Sequence, residues 1–232
     1  MKKERLDIQG IPAILFGEPS DKVFLYVHGQ SGNKEEAEAF ARRACQCSWQ
    51  VLSIDLPGHG ERKGEDEQFY PWYVVPELSS VMTYVRTRWK EVNLFANSIG
   101  AWFSMLAFKD EELAKCLFVS PILDMPRLIS NMMTWAGVSE ERLKEELVIA
   151  TGFGQPLSWE YLQYARNNPV SGLSDHIFIL YGEKDNLTEP DVVKGFTERF
   201  GCELTIMEEG EHWFHTDEQL EALDAWTENC LG

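Results

Sequence analysis

The chain has no hydrophobic run approaching the ~18 apolar residues of a membrane-spanning helix. Its basic opening, Met1-Lys2-Lys3-Glu4-Arg5, passes straight into Leu6-Asp7-Ile8-Gln9 without the apolar stretch of a secretory signal. These two absences predict a cytoplasmic protein with no membrane insertion. Positive charge is scarce: 21 Lys and Arg against 38 Asp and Glu leave a formal net charge of −17 over 232 residues. A surface of that sign repels phosphate backbones and anionic lipid, which argues against a nucleic-acid partner. The cysteines, Cys45, Cys47, Cys116, Cys202 and Cys230, are odd in number and lack C-x-x-C spacing. Neither a disulfide framework nor a zinc knuckle is indicated, and none of them stands in a Gly-flanked turn after a strand. The sequence also lacks an H-E-x-x-H helix, paired Cys/His ligands and a G-x-G-x-x-G turn, so no metal or cofactor is expected. Repeats and low-complexity tracts are missing too.

What is present describes a globular chain: 44% of residues are hydrophobic and 12% aromatic, and they recur along the whole length. Periodicity predicts strands near Ile11–Phe16, Val23–Val27, Gln50–Ile54, Val92–Ala96, Cys116–Val119, Ile177–Leu180 and Glu203–Met207. Helical stretches at Lys34–Cys45, Tyr73–Arg88, Ala101–Phe108, Asp191–Phe200 and Glu218–Cys230 alternate with most of them. That alternation predicts an α/β architecture, a mostly parallel sheet flanked by helices on both faces.

The alternation stops at Ile122 and resumes after Asp175. The intervening stretch, rich in Met, Leu, Trp and Tyr, reads as a helical cap insertion. Leu128, Met132 and Trp135 share one helical face, Glu140–Val148 reads as a second helix, and Trp159, Leu162 and Tyr164 begin a third. The chain is thereby divided into a first core part, 1–121, the insertion, 122–175, and a second core part, 176–232. An insert that merely packs against the body is the plainer alternative.

Ala96-Asn97-Ser98-Ile99-Gly100 stands between an apolar strand and a helix, the setting of a nucleophile elbow. Such a turn holds a serine hydroxyl clear of the sheet and needs small residues two positions to either side, here Ala96 and Gly100. In an open parallel sheet chemistry gathers at the carboxyl ends of strands. The loops there read His28-Gly29-Gln30-Ser31-Gly32, Asp55-Leu56-Pro57-Gly58-His59-Gly60-Glu61-Arg62, Tyr181-Gly182-Glu183-Lys184-Asp185 and Glu208-Glu209-Gly210-Glu211-His212.

In the order H-G turn, D-x-P-G-H-G-x-R loop, serine elbow, G-x-x-D turn and G-x-H loop, the sequence resembles the α/β-hydrolase superfamily over nearly its whole length. It is most similar to the small serine esterases, lipases and thioesterases, with a cap inserted after the sixth strand of the family's sheet. The resemblance implies Ser98 as nucleophile, Asp185 as acid and His212 as base. It is consistent with the chemistry, because a serine hydroxyl attacks well only when an imidazole, oriented by a carboxylate, takes its proton. The oxyanion of the transition state then needs two preorganised N–H donors, expected from the backbone of Gln30 and Ile99.

Rival residues fit less well. Ser31 has Asn33 where a small residue is needed, and Ser120 is flanked by Phe118 and Ile122. His215 stands at the start of the last helix, and Asp124 follows an earlier strand where some relatives keep their carboxylate. His28, His59 and His176 read as structural. The expected function is a serine hydrolase acting on a small-molecule carboxylic ester or thioester through an acyl-enzyme, with Leu128, Met132 and Trp135 lining the substrate pocket. Amide or peptide hydrolysis and acyl transfer on the same triad stay open, as does a non-catalytic small-molecule-binding module. Nothing in the sequence specifies an oligomeric state.

Overall fold

β-branched and aromatic runs alternate with amphipathic stretches, and the computed structural model, which describes residues 1–170 and 176–232, folds them accordingly. The chain enters through β1 (Lys3–Ile8), β2 (Ile11–Phe16), β3 (Lys22–Val27), α1 (Ala37–Gln46), β4 (Gln50–Ile54) and α2 (Pro71–Arg86). It continues through β5 (Glu91–Asn97), α3 (Ile99–Ala107) and β6 (Cys116–Val119). Then come α4 (Met125–Ala136), α5 (Glu140–Glu146), the short strands β7 (Val148–Ile149) and β8 (Leu157–Ser158), and α6 (Trp159–Asn167). β9 (Ile177–Gly182), α7 (Pro190–Phe200), β10 (Glu203–Met207) and α8 (Asp217–Leu231) complete it.

Eight strands form one sheet in the order β1-β2-β4-β3-β5-β6-β9-β10. β2 runs antiparallel to both β1 and β4, and every other pair is parallel. The central strands are buried on both faces, so their side chains divide by alternation. Val23, Leu25 and Val27 face the cluster built with α2, α3, α7 and the segment between β6 and β9, whereas Phe24 and Tyr26 face α1 and α8. Phe24 meets Phe40 of α1 edge-on, with ring centroids 5.0 Å apart.

Several boundaries differ from the sequence reading, each for a local reason. β1 was not expected, because Lys-Glu-Arg-Leu-Asp-Ile carries the charge of an exposed edge strand and little apolar signal; it pairs with β2 from Lys3↔Phe16 to Ile8↔Ile11. Lys34–Glu36 forms a 3₁₀ turn ahead of α1, capped by Asn33, whose side chain accepts the Glu35 N–H at 3.0 Å. α2 starts at Pro71, two residues earlier than expected, since proline suits a first helical turn. α5 ends at Glu146, not Val148: Leu147 turns to φ 67° and Val148 pairs with Ser158. The segment between β6 and β9 is therefore not purely helical, and its end at 171–175 lies outside the described residues. Among the described residues, no helix is long and apolar enough to cross a membrane.

Candidate active site

β5 ends at Asn97 and α3 begins at Ile99, so Ser98 alone makes the turn, at φ 49° and ψ −122°. A positive φ at a residue with a Cβ is strained by about 1–3 kcal/mol and persists only where the surroundings hold it. Here the Ser98 N–H donates to Val119 O at 3.0 Å, and Ser98 O accepts from Ile122 N at 3.1 Å. The turn also presses backbone on backbone. A Cβ on Gly100 would lie 2.3 Å from His28 O, and one on Gly29 would lie 3.1 Å from Ser98 Cβ.

The loops after β9 and β10 lie back to back at the same end of the sheet. Lys184 N donates to Gly210 O at 2.7 Å, and a Cβ on Gly182 would meet Glu211 O at 2.5 Å. This close approach brings His212 beside Asp185. The Asp185 carboxylate is fully buried; one oxygen accepts the N–H groups of Leu187 at 2.8 Å and Thr188 at 3.1 Å, and the other accepts from His212 Nδ1 at 2.7 Å. With its proton on Nδ1, the ring presents Nε2 as an acceptor 2.8 Å from Ser98 Oγ. Ser98, His212 and Asp185, separated by up to 114 positions in sequence, thus form one hydrogen-bonded line.

The rival residues are occupied elsewhere. Ser31 donates its N–H to His59 Nε2 at 2.9 Å, and Ser120 is buried with its N–H on Leu180 O. His215 donates from Nδ1 to Trp213 O and stacks on the Trp213 ring, while the Thr216–Gln219 capping box starts α8 directly behind it. Asp124 caps α4, accepting Arg127 N at 2.9 Å. His176 precedes β9, where its carbonyl accepts from Cys116 N.

Ser98 opens onto a cleft of about 1270 Å³ that Gln30 and Ile99 also line. Ile99 opens α3, so its N–H belongs to a first turn that has no intrahelical acceptor. One wall is apolar and comes from the segment between β6 and β9: Leu128, Met132 and Trp135 of α4 all line it, with Ile129, Phe153 and Tyr161. The facing wall comes from the loops after β3 and β4 and carries Asn33, His59, Lys63, Asp66, Glu67 and Phe69. Sequence reasoning missed Phe69, Tyr70, Phe153 and Tyr161 as lining residues. The aromatic run Phe69-Tyr70-Pro71-Trp72-Tyr73 before α2 was the available signal.

Beneath the facing wall Asp55 is fully buried and accepts from Lys34 N at 2.8 Å, Lys34 Nζ at 2.5 Å and Glu61 N at 2.9 Å. Burial alone would raise its carboxyl, but the Lys34 ammonium and the two N–H groups outweigh that and hold it below the usual carboxylate range. Among the described residues, no group of three or more His, Cys, Asp or Glu side chains could hold a metal ion.

The sequence profile of the family described as Serine aminopeptidase, S33, a hydrolase family, matches residues 18–167. No curated protein matches the chain in sequence. Among solved structures the chain is similar to Est1E from Butyrivibrio proteoclasticus with ferulic acid bound, with a TM-score of 0.76 at 18% identity over 97% of this chain and 96% of that one. A putative hydrolase from Agrobacterium vitis S4 aligns with a TM-score of 0.78 at 14% identity, over 100% of this chain and 99% of the other. A monoacylglycerol lipase from Paleococcus ferrophilus gives 0.64 at 14% identity, over 99% of each chain. At such identities the likeness is one of fold.

Proposed function

The chain belongs to the Serine aminopeptidase, S33 family of hydrolases and has the α/β-hydrolase fold; from that premise we propose that it hydrolyses carboxylic esters or thioesters through an acyl-enzyme on Ser98. The observation that carries this reading is the unbroken line from Ser98 Oγ through His212 to Asp185, at 2.8 and 2.7 Å.

In the proposed reaction Ser98 Oγ attacks the acyl carbon while His212 Nε2 takes the hydroxyl proton. Asp185 holds the ring in the tautomer with Nδ1 protonated and stabilises the imidazolium. The negative oxygen of the tetrahedral intermediate is met by the N–H groups of Gln30 and Ile99, each such donor lowering the barrier by roughly 2.7–4 kcal/mol. Collapse breaks the bond to the leaving alcohol or thiol, which receives the proton from His212. Water, deprotonated by the same imidazole, then cleaves the acyl-enzyme and releases the acid. No cofactor enters these steps. The segment 122–175 acts as the cap, its apolar face holding the acyl group.

The aromatic lining from Phe69, Tyr70, Phe153 and Tyr161 suits a flat acyl group, and the similar Est1E was solved with an aromatic acid, ferulic acid. A second reading, amide or peptide hydrolysis, is favoured by Asp66 and Glu67 on the facing wall, where a carboxylate would hold a substrate ammonium. Both readings are tested by a fluorophosphonate probe followed by a panel of p-nitrophenyl, thioester, cinnamoyl and amide substrates. Stoichiometric labelling at Ser98, its loss in Ser98→Ala, and turnover of esters above amides are expected. An unlabelled wild type, or near-normal turnover by Ser98→Ala, would leave the fold serving only to bind its ligand or acting through another group.

A further inference from the structure

Two buried imidazoles outside the Ser98–His212–Asp185 line reach across to each other's loops. His28, directly after β3, accepts the Leu56 N–H through Nε2 at 3.0 Å. His59, in the loop after β4, accepts the Ser31 N–H through Nε2 at 2.9 Å. In each ring Nδ1 faces a carbonyl, Gly29 O at 2.8 Å and Pro57 O at 2.7 Å. A carbonyl can only accept, so both Nδ1 atoms carry the proton and both Nε2 atoms are lone-pair acceptors. The two rings, with centroids 5.2 Å apart, therefore exchange backbone N–H groups between the loops like a double latch.

Gln30 sits inside this latch. Gly32 N donates to Gly29 O at 3.1 Å, closing a tight turn around Gln30 and Ser31, and Ser31 takes φ 63° within it. With the N–H of Ser31 spent on His59, the turn is held in one orientation relative to Ser98. His59 also lines the cleft, yet both of its ring nitrogens are occupied by loop partners, which leaves it no free atom for the reacting group.

We propose that His59 is a positioning residue: by accepting the Ser31 N–H it fixes the turn that presents the Gln30 N–H to the acyl oxygen. The inference rests on the reading of Ser98 as nucleophile. The two loops are also joined by the buried Lys34–Asp55 pair, so the loss of one latch bond leaves them folded and displaces chiefly the Gln30 turn. A misplaced donor weakens binding of the transition state and leaves binding of the substrate intact.

The test compares wild type with His59→Phe, which keeps a ring against Phe69 but has no acceptor, and His59→Gln, whose side-chain carbonyl can accept the same N–H. His59→Leu, smaller than Phe and likewise without an acceptor, serves if the Phe variant fails to fold. Each is measured for kcat and KM on p-nitrophenyl acetate, for melting temperature, and for affinity toward phenylboronic acid, whose tetrahedral serine adduct places an oxygen on the same donors. His59→Phe should lose roughly 10- to 100-fold in kcat and a similar factor in boronate affinity, with KM within about twofold and melting little changed, and His59→Gln should recover most of both. Wild-type kcat and boronate affinity in the Phe or Leu variant would overturn the proposal. So would a loss confined to KM, or one that follows melting and is not recovered by Gln. Failure of the wild type to label with fluorophosphonate overturns the Ser98 reading and this inference together; labelling with latch variants that behave as wild type overturns this inference alone.

Discussion

On the Ser98 side of the cleft a Cβ on Gly100 would lie 2.3 Å from His28 O, one on Gly182 2.5 Å from Glu211 O, and one on Gly60 2.1 Å from the Asp55 carboxylate. In the segment between β6 and β9, a Cβ on Gly137, Gly152 or Gly154 would meet nothing within 4 Å. Two large aromatic side chains stand exposed at the mouth of the second wall, Trp135 and Phe153 at 53% and 44%, while His28 and Asp55 beneath the first are sealed. One wall is tightly determined where it meets Ser98 and His212, with Gly100 and Gly182 pressed on backbone carbonyls and Gly60 on a buried carboxylate. The other can be altered one side chain at a time. On the proposed function, chemistry and selectivity would fall to parts of the molecule with opposite tolerance to change.

The most severe way to test that division is at the acid. Asp185→Asn, which leaves the shape but spoils the His212 tautomer, should lower turnover on the order of 10⁴-fold, whereas Asp124→Asn should cost only part of a helix cap. Steady-state kinetics on one ester decide it, and a larger loss at Asp124 would move the acid to the loop after β6. Next comes glycine. Gly100→Ala forces a methyl against the His28 carbonyl and should remove ~1–3 kcal/mol or more of stability together with most turnover, while Gly152→Ala should change neither. Equal urea midpoints for the two variants would erase the distinction between the walls.

A further contrast can be drawn with pH. Burial lowers the His28 imidazole from its ordinary 6.5 to about 4. The folded state therefore resists a proton that the unfolded chain accepts, so stability is intact above pH 6.5 and is lost as pH falls toward 4, by about 3 kcal/mol. His28→Gln should be less stable at pH 7 but show a shallower fall between pH 6.5 and 4 in urea titrations; parallel profiles would show that His28 contributes nothing to acid sensitivity. The smallest effect is expected on the insert. Met132→Ala and Trp135→Ala should shift chain-length preference by about 0.8 kcal/mol per substrate methylene accommodated or lost, with fluorophosphonate labelling rates unchanged. Loss of melting temperature with an unchanged chain-length profile would make those residues packing and not pocket.

What could be read from the sequence follows the same division. Loops at strand ends are marked by apolar runs that stop at Gly, His and Asp; the resemblance to the α/β-hydrolase superfamily singled out Ser98, Asp185 and His212 among them, and the structure brings these three within hydrogen-bond distance. The small residues around Ser98 were legible because steric exclusion leaves few choices. β1 was not, since an edge strand needs hydrogen bonds more than apolar surface. The latch between His28 and His59 was hidden for another reason: the bonds exist only because β4 lies beside β3, an adjacency that periodicity along one strand does not encode. The insert was the hardest to read. Its apolar residues serve both its own packing and the cleft, so Leu147 could end α5 without any break in composition.

Ser98 itself carries a consequence of a different kind. Its left-handed backbone is a conformation that a glycine would adopt without strain, so the chain is held away from its own stability optimum at the residue proposed to do the chemistry. Thermal robustness and turnover therefore pull in opposite directions at this position. A lineage or a laboratory selection that rewarded melting temperature alone would discard the serine before it disturbed the fold around it.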